Sequence, residues 1–215
     1  MEQSTEILAV LPGEKQGLRE RITELEAENA FLKERIEHLE HESGIDALTG
    51  AVNRRVFDAE LERALKLVRG EVAEQRAGAE PLTEVALIFA DLDHFKQIND
   101  RFGHAAGDEA LRRAVALMRE NVREGDIVAR LGGEEFGVLM RGADQGRALE
   151  VAKMLREKVE QLTFEQYPEL RVTASFGVAS SAASVEQKTL YTNADAAMYE
   201  AKRQGRNRVI PFTAV

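Results

Sequence analysis

The run Val85-Ala86-Leu87-Ile88-Phe89-Ala90, closed by Asp91, restricts the fold more than any other stretch of this chain. An unbroken apolar run of this length, bounded by polar chain, reads as a central β-strand that delivers a carboxylate to its C-terminal edge. A second acidic pair, Glu134-Glu135, follows Gly132-Gly133 between the apolar segments 127–131 and 136–140, so it is expected at a hairpin turn. Around these strands the spacing predicts helices over 53–68, around Phe95, Ile98 and Phe102, and over 107–122, 145–162 and 185–203. Further strands are expected over 171–179 and 208–212, and a polar loop over 69–81. The order predicts an α+β domain of the ferredoxin-like βαββαβ kind, with extra helices packed on the sheet, largely on one face.

The chain's 215 residues can hold one well-buried domain plus an appendage. A net charge of −9, with no dense basic tract, opposes binding to DNA. No apolar run approaches the roughly 18 residues that cross a bilayer, so membrane insertion is not expected. The acidic start, Met1-Glu2-Gln3-Ser4-Thr5-Glu6, lacks the basic and then apolar pattern of a secretory signal, which makes the cytoplasm the expected compartment. Zero cysteines exclude disulfides and thiolate metal sites, so a bound metal must use oxygen or imidazole. A hard cation fits best: Mg²⁺, with Mn²⁺ as the alternative.

Three segments emerge: residues 1–17, a stalk over 18–43, and a globular domain over 44–215. In the stalk Leu18, Leu25, Leu32 and Leu39 occupy heptad position d, while Ile22, Asn29 and Ile36 occupy a. That combination favours a parallel two-stranded coiled coil, with the buried asparagine fixing register. In such a homodimer Arg21 meets Glu26, Glu28 meets Lys33, and Arg35 meets Glu40 of the second strand, three attractive pairs that set orientation more than stability. An amphipathic helix folded back on its own domain would need neither the asparagine nor the matched charges. Ile7, Leu8, Val10 and Leu11 form a small apolar cluster that reads either as a frayed continuation of the stalk or as a docking site for a regulatory protein.

Asp91 ends a central strand and Glu134 occupies a hairpin that can lie beside it, so oxygens of both can point at one spot above the sheet. Two carboxylates and a backbone carbonyl, that of Leu92, supply part of a Mg²⁺ octahedron and leave positions for phosphate oxygens. This is an arrangement for phosphoryl transfer. Taken singly, each feature is ordinary: strand edges often end in solvated acids, and GGEE is often only a turn.

The features do not occur singly. The chain resembles the GGDEF family of diguanylate cyclases, in a GGEEF variant, over about residues 44 to 212. The resemblance rests on Asp46-Ala47-Leu48-Thr49-Gly50 with Asn53-Arg54-Arg55, on Asp91 through Asp100 with Gly103-His104 and Gly107-Asp108, and on Arg130-Leu131-Gly132-Gly133-Glu134-Glu135-Phe136. Ser175-Phe176-Gly177-Val178-Ala179 and the stretch from Ala194-Asp195 through Lys202 to Gly205-Arg206-Asn207 complete it. Ala51 departs from the leucine more usual there.

The resemblance implies a nucleotidyl-cyclase or palm-like fold and the condensation of two GTP into cyclic di-GMP with loss of two pyrophosphates, at a site completed by two facing domains. It implies that Asp91, Glu134 and the Leu92 carbonyl bind metal, and that Glu135 orients the attacking hydroxyl, helps take its proton, or is structural. It places Asn99 and Asp108 on the guanine edge, His104 in the nucleotide pocket, and His94, Phe95 and Lys96 around the phosphates. Lys202 and Arg206 face the β and γ phosphates, and Arg123 with Asp126 matches an R-x-x-D site for inhibition by the product. The stalk would raise the two domains to roughly millimolar effective concentration. The competing readings are a catalytically silent receptor for cyclic di-GMP or GTP, and a coiled-coil scaffold with a passive globular end.

Overall fold

Residues 20–32, 43–73 and 81–213 are described by the structure, a computed structural model, and fall in two units, Met1–Ser43 and Gly44–Val215. In the first unit a helix, α1, covers residues 20–32. Ile22 and Leu32 are each 48% exposed and Leu25 42%, so in a single chain this apolar stripe is half uncovered. Arg21 donates to Glu24 within the helix at 2.9 Å. Leu18, Lys33, Arg35, Ile36, Leu39 and Glu40 of the expected seam and its flanking pairs lie outside the described residues, as does the cluster near residue 10.

The second unit opens with the turn at 47–49 and a short strand, β1 (Val52–Asn53). Asn53 then caps α2 (Arg54–Val68), its side chain accepting from the Val56 N–H, as expected of an asparagine before a periodic apolar run. Next come β2 (Val85–Leu92), α3 (Phe95–Phe102), α4 (His104–Glu120), β3 (Ile127–Gly132) and β4 (Glu135–Arg141). The chain continues through α5 (Gln145–Glu160), β5 (Ala174–Ser180), α6 (Gln187–Arg203) and β6 (Val209–Pro211). The sheet order is β1-β3-β4-β2-β5-β6, antiparallel in the middle with parallel pairs at both edges. This is the α+β architecture expected.

Two expectations need correction. α4 begins three residues before the expected 107, because Gly103 takes φ 86° and lets the chain end α3 and restart at once. The helices also cover both faces rather than largely one. Ala86, Ile88 and Ala90 of β2 pack with Ala110, Leu111 and Ala114 of α4 and with Ala152 and Leu155 of α5. Val85, Leu87 and Phe89 point the other way, onto Phe57, Leu61 and Leu65 of α2 and Leu190, Ala194 and Met198 of α6. Every residue of β2 is buried, and a strand buried on both sides shows a continuous apolar run instead of alternation. α6 lies so close to β5 that a Cβ on Gly177 would sit 2.2 Å from both the Ala194 carbonyl and the Met198 nitrogen.

Candidate active site

Asp91 and Glu135 are register partners across β2 and β4. Directly opposed residues share a face, and Asp91 lies two residues beyond Phe89, so both acids look toward the α2 and α6 side. The Leu92 N–H donates to the Glu134 carbonyl at 3.2 Å, which ties the end of β2 to the glycine hairpin. Asp91 is 6% exposed, and Lys202, from the last turn of α6, lies 2.8 Å from its carboxylate. Burial pushes the Asp91 carboxyl above the usual carboxylate range; Lys202 opposes the shift, and the charges of Glu134 and Glu135 add to it. Asp91, Leu92, Glu134, Glu135 and Lys202 therefore meet at one place.

Among the described residues no three His, Asp or Glu side chains gather as a preformed metal cage. The donor set nevertheless fits a hard cation. It is all oxygen, and its buried carboxylate is crowded by two further acids whose repulsion a positive ion relieves.

The other residues expected to contact the nucleotide lie on α3 and α4, on the turn before α3 and on the turn after α6. His94 takes a left-handed conformation, φ 57°, at the turn into α3, and exposes its ring with Lys96 while Phe95 is half-buried. Asn99 packs over Gly107 so closely that a Cβ there would lie 1.9 Å from its Oδ1, and Asp108 follows half-buried on α4. His104, the first residue of α4, is exposed, as is Arg206 in the turn after α6. Arg123 and Asp126 stand apart at the start of β3, about 17 Å along the strand from the glycines. The Arg123 N–H donates to Asp126 at 3.1 Å, beside a cleft of about 310 Å³ that also includes Gly50, Val52 and Arg119.

Three supports had no role assigned from the sequence, although their residues lie in the motifs. Arg130 donates from Nη1 to both oxygens of Asp46, at 3.1 and 3.3 Å, and from Nε and Nη2 to the Gly133 carbonyl, at 2.9 and 2.7 Å. The turn that opens the domain is thus joined to the glycine hairpin. Asp93, 4% exposed, accepts from Thr173 Oγ1 and Ser175 Oγ at 2.7 Å and from the Asn207 N–H at 3.0 Å, which fixes the turn carrying Arg206. Arg54 donates from Nε to the Leu131 carbonyl at 2.7 Å, with Nη2 3.8 Å from Glu135. The spacing of motifs carries no sign of which distant polar groups will meet; a lone buried acid such as Asp93 is signalled only by the two hydroxyl residues of 171–179.

The family described as "Diguanylate cyclase, GGDEF domain" matches residues 43–208. The chain belongs to the GGDEF family. One relative, the probable diguanylate cyclase DgcT of Escherichia coli K12, is 38% identical over 170 residues, covering 77% of this chain and 35% of the relative. The chain spans about a third to a half of the length of the curated relatives it matches. Among solved structures, the coiled coil and GGDEF domain of DgcB from Caulobacter crescentus, in complex with c-di-GMP, is similar with a TM-score of 0.69 and 29% identity, covering 90% of this chain and 98% of that one. Diguanylate cyclase SiaD of Pseudomonas aeruginosa, in complex with its activator SiaC, gives a TM-score of 0.66 and 32% identity, covering 92% and 73%. Among the described residues of this GGDEF protein no helix is long and apolar enough to cross a membrane.

Proposed function

We propose that this chain is a diguanylate cyclase that condenses two GTP into cyclic di-GMP, working as a homodimer joined through the stalk. The observation that carries the reading is the convergence of Asp91, Glu134, Glu135 and Lys202 at the end of β2, in a chain of the GGDEF family. Mg²⁺, or Mn²⁺ in its place, held by Asp91, Glu134 and the Leu92 carbonyl, would neutralise charge on the triphosphate. The half-buried pair Asn99 and Asp108 would read guanine, because a carboxylate accepts from both N1–H and the 2-amino group. Lys202 exchanges Asp91 for the β and γ phosphates, with Arg206 alongside, while His94, Phe95, Lys96 and His104 border the nucleotide.

The 3′-oxygen of one nucleotide bonds to the α-phosphorus of the other. The bond from that phosphorus to the β-bridging oxygen breaks, and its electron pair leaves with pyrophosphate. Glu135 orients the hydroxyl or takes its proton, and repetition in the opposite sense closes the ring. Among the described residues one chain offers one candidate pair for guanine, Asn99 with Asp108, so two chains face each other in the reaction. The half-exposed stripe of α1 supports that pairing, and a relative with a coiled coil next to the same domain makes it familiar. Arg123 and Asp126, beside their own cleft, are proposed to bind product and hold the dimer inactive; a regulatory protein is proposed to act on the N-terminal segment or stalk, as SiaD has an activator.

Incubation with GTP and Mg²⁺ followed by mass analysis tests the reading. Cyclic di-GMP is expected from the full chain, none from Glu134→Gln, and little from residues 44–215 alone at micromolar concentration. Product in equal amount from the truncated chain would remove the stalk from catalysis, and none from the full chain at high concentration would favour the silent receptor.

A further inference from the structure

Directly below the acidic end of β2, on the same face, a cleft of about 290 Å³ opens between the start of α2 and the middle of α6. Its polar wall is Arg54, Glu135, Thr192 and Asp195, and its floor includes Phe89 and Tyr191. The floor is rigid: the two rings stack edge to face at 4.9 Å, and the Tyr191 hydroxyl donates to Asp58. Arg54 is committed to the Leu131 carbonyl and to Glu135. The Thr192 hydroxyl donates to the Lys188 carbonyl at 2.9 Å, so its free capacity is as an acceptor. Asp195 is exposed, and its carboxylate makes no hydrogen bond or ion pair with any described residue. The wall therefore offers two carboxylates and a hydroxyl that accept, and its one cation is already engaged. Such a wall repels phosphate and suits a neutral group rich in O–H donors, above all a vicinal diol, which a carboxylate grips as it does a ribose hydroxyl. The volume, at the bottom of the roughly 300 to 1,000 Å³ range of ligand pockets, fits a sugar and not a whole nucleotide.

We propose that this cleft is an acceptor subsite: it receives the ribose of the GTP carried by the second copy of the chain, with Asp195 and Thr192 holding the sugar so that its 3′-hydroxyl lies beside Glu135. The inference rests on the cyclase reading above, which needs an incoming hydroxyl but assigns no residue to its sugar. The cleft is the concavity contiguous with Glu135 on the face that Asp91 shares. Thr192 and Asp195 act on the partner's nucleotide, so their loss is expected to spare a subunit's own GTP site.

The test uses the full chain with two exposed-site variants, Thr192→Trp, which fills the cleft, and Asp195→Asn, which weakens its acceptor. Turnover of GTP with Mg²⁺, affinity for a non-hydrolysable α,β-methylene GTP, and dimer content by sedimentation are measured for each. Turnover is expected to fall at least about a hundredfold for Thr192→Trp, as for a misplaced reactant, and about tenfold for Asp195→Asn, while analogue affinity and dimer content stay within about twofold. The proposal stands on that pattern and falls on any other. Wild-type turnover in either variant overturns the cleft alone, and so does a parallel loss of analogue affinity; absence of cyclic di-GMP from the unaltered chain overturns the cyclase reading and the subsite with it.

Discussion

Gly177→Ala is the sharpest probe of how the site is held. Gly177 lies on β5, between β2 and β6, and faces α6 where the helix backbone comes closest to the sheet. A methyl group there would sit 2.2 Å from the Ala194 carbonyl oxygen, 2.2 Å from the Met198 nitrogen and 2.8 Å from Met198 Cα. Contact is comfortable at about 3.5 Å, so roughly 1 Å must be found. The strand cannot supply it, being hydrogen-bonded on both sides, so α6 must retreat. Forcing a packed interface apart in this way costs about 1 to 3 kcal/mol. Lys202, one turn beyond Met198, would be drawn from its 2.8 Å contact with Asp91, and a displacement of about 1 Å in such a group lowers turnover about a hundredfold. Urea denaturation, with an unchanged slope and a midpoint lower by about 1 M, and pyrophosphate release report the two effects. Gly146→Ala is the control. Its added methyl would meet only Asp144 Oδ1 at an ordinary 3.5 Å within α5, and removing a helical glycine should stabilise by up to about 1 kcal/mol. If Gly177→Ala is as stable and active as the unaltered chain, α6 is not seated on β5 as described, and the placement of Lys202 loses its basis.

Three further outcomes follow from the supports of the site. Asp93→Ala should cost about 3 kcal/mol in denaturant titration, since it strands two hydroxyls and the Asn207 N–H, and should raise KM for GTP by loosening the turn with Arg206. Arg130→Ala should lower turnover about tenfold with little change in analogue affinity, because the glycine hairpin loses its link to Asp46; an unchanged rate would make that link purely structural. Burial raises the Asp126 carboxyl, opposed by its hydrogen bond from the Arg123 backbone. Only the ionised form can accept from both guanine donors, so inhibition by added cyclic di-GMP should be complete well above this raised value. It should fade as pH falls through it, beginning nearer neutrality than for an ordinary carboxylate; inhibition that persists unchanged to pH 4 would remove Asp126 from product recognition.

The outline of the fold is legible in the chain because each element carries a local cause. The unbroken apolar run of β2, the Asn53 cap and the doubled glycine before Glu134 each act within a few residues of where they stand. The features that differ from expectation are those that depend on distant partners. The helices cover both faces of the sheet and not largely one, as the absence of alternation in 85–90 requires. The start of α4 at His104, ahead of the expected Gly107, is hidden in the sequence because Gly103 and Gly107 look alike there. Gly103 supplies a positive φ, whereas Gly107 sits inside the helix and makes room for Asn99.

The site divides along the same line. Asp91 and Glu134 could be placed together because a strand end and a hairpin have few ways to meet. The partners of Asp93 and Arg130 could not, because Thr173, Ser175 and Asp46 are joined to them only by the finished sheet. Motif residues of one charge class thus split into two kinds: Asp91 has its proton affinity raised by burial and neighbouring acids, and Asp93, two residues on, has its acceptor capacity taken up by the fold. The proposed cation site uses the first, where a positive charge would offset the neighbouring acids, whereas the second has its oxygens taken by Thr173, Ser175 and Asn207. That difference, invisible in Asp-Leu-Asp as letters, supports the proposal that puts the metal at Asp91 and leaves Asp93 an architectural role.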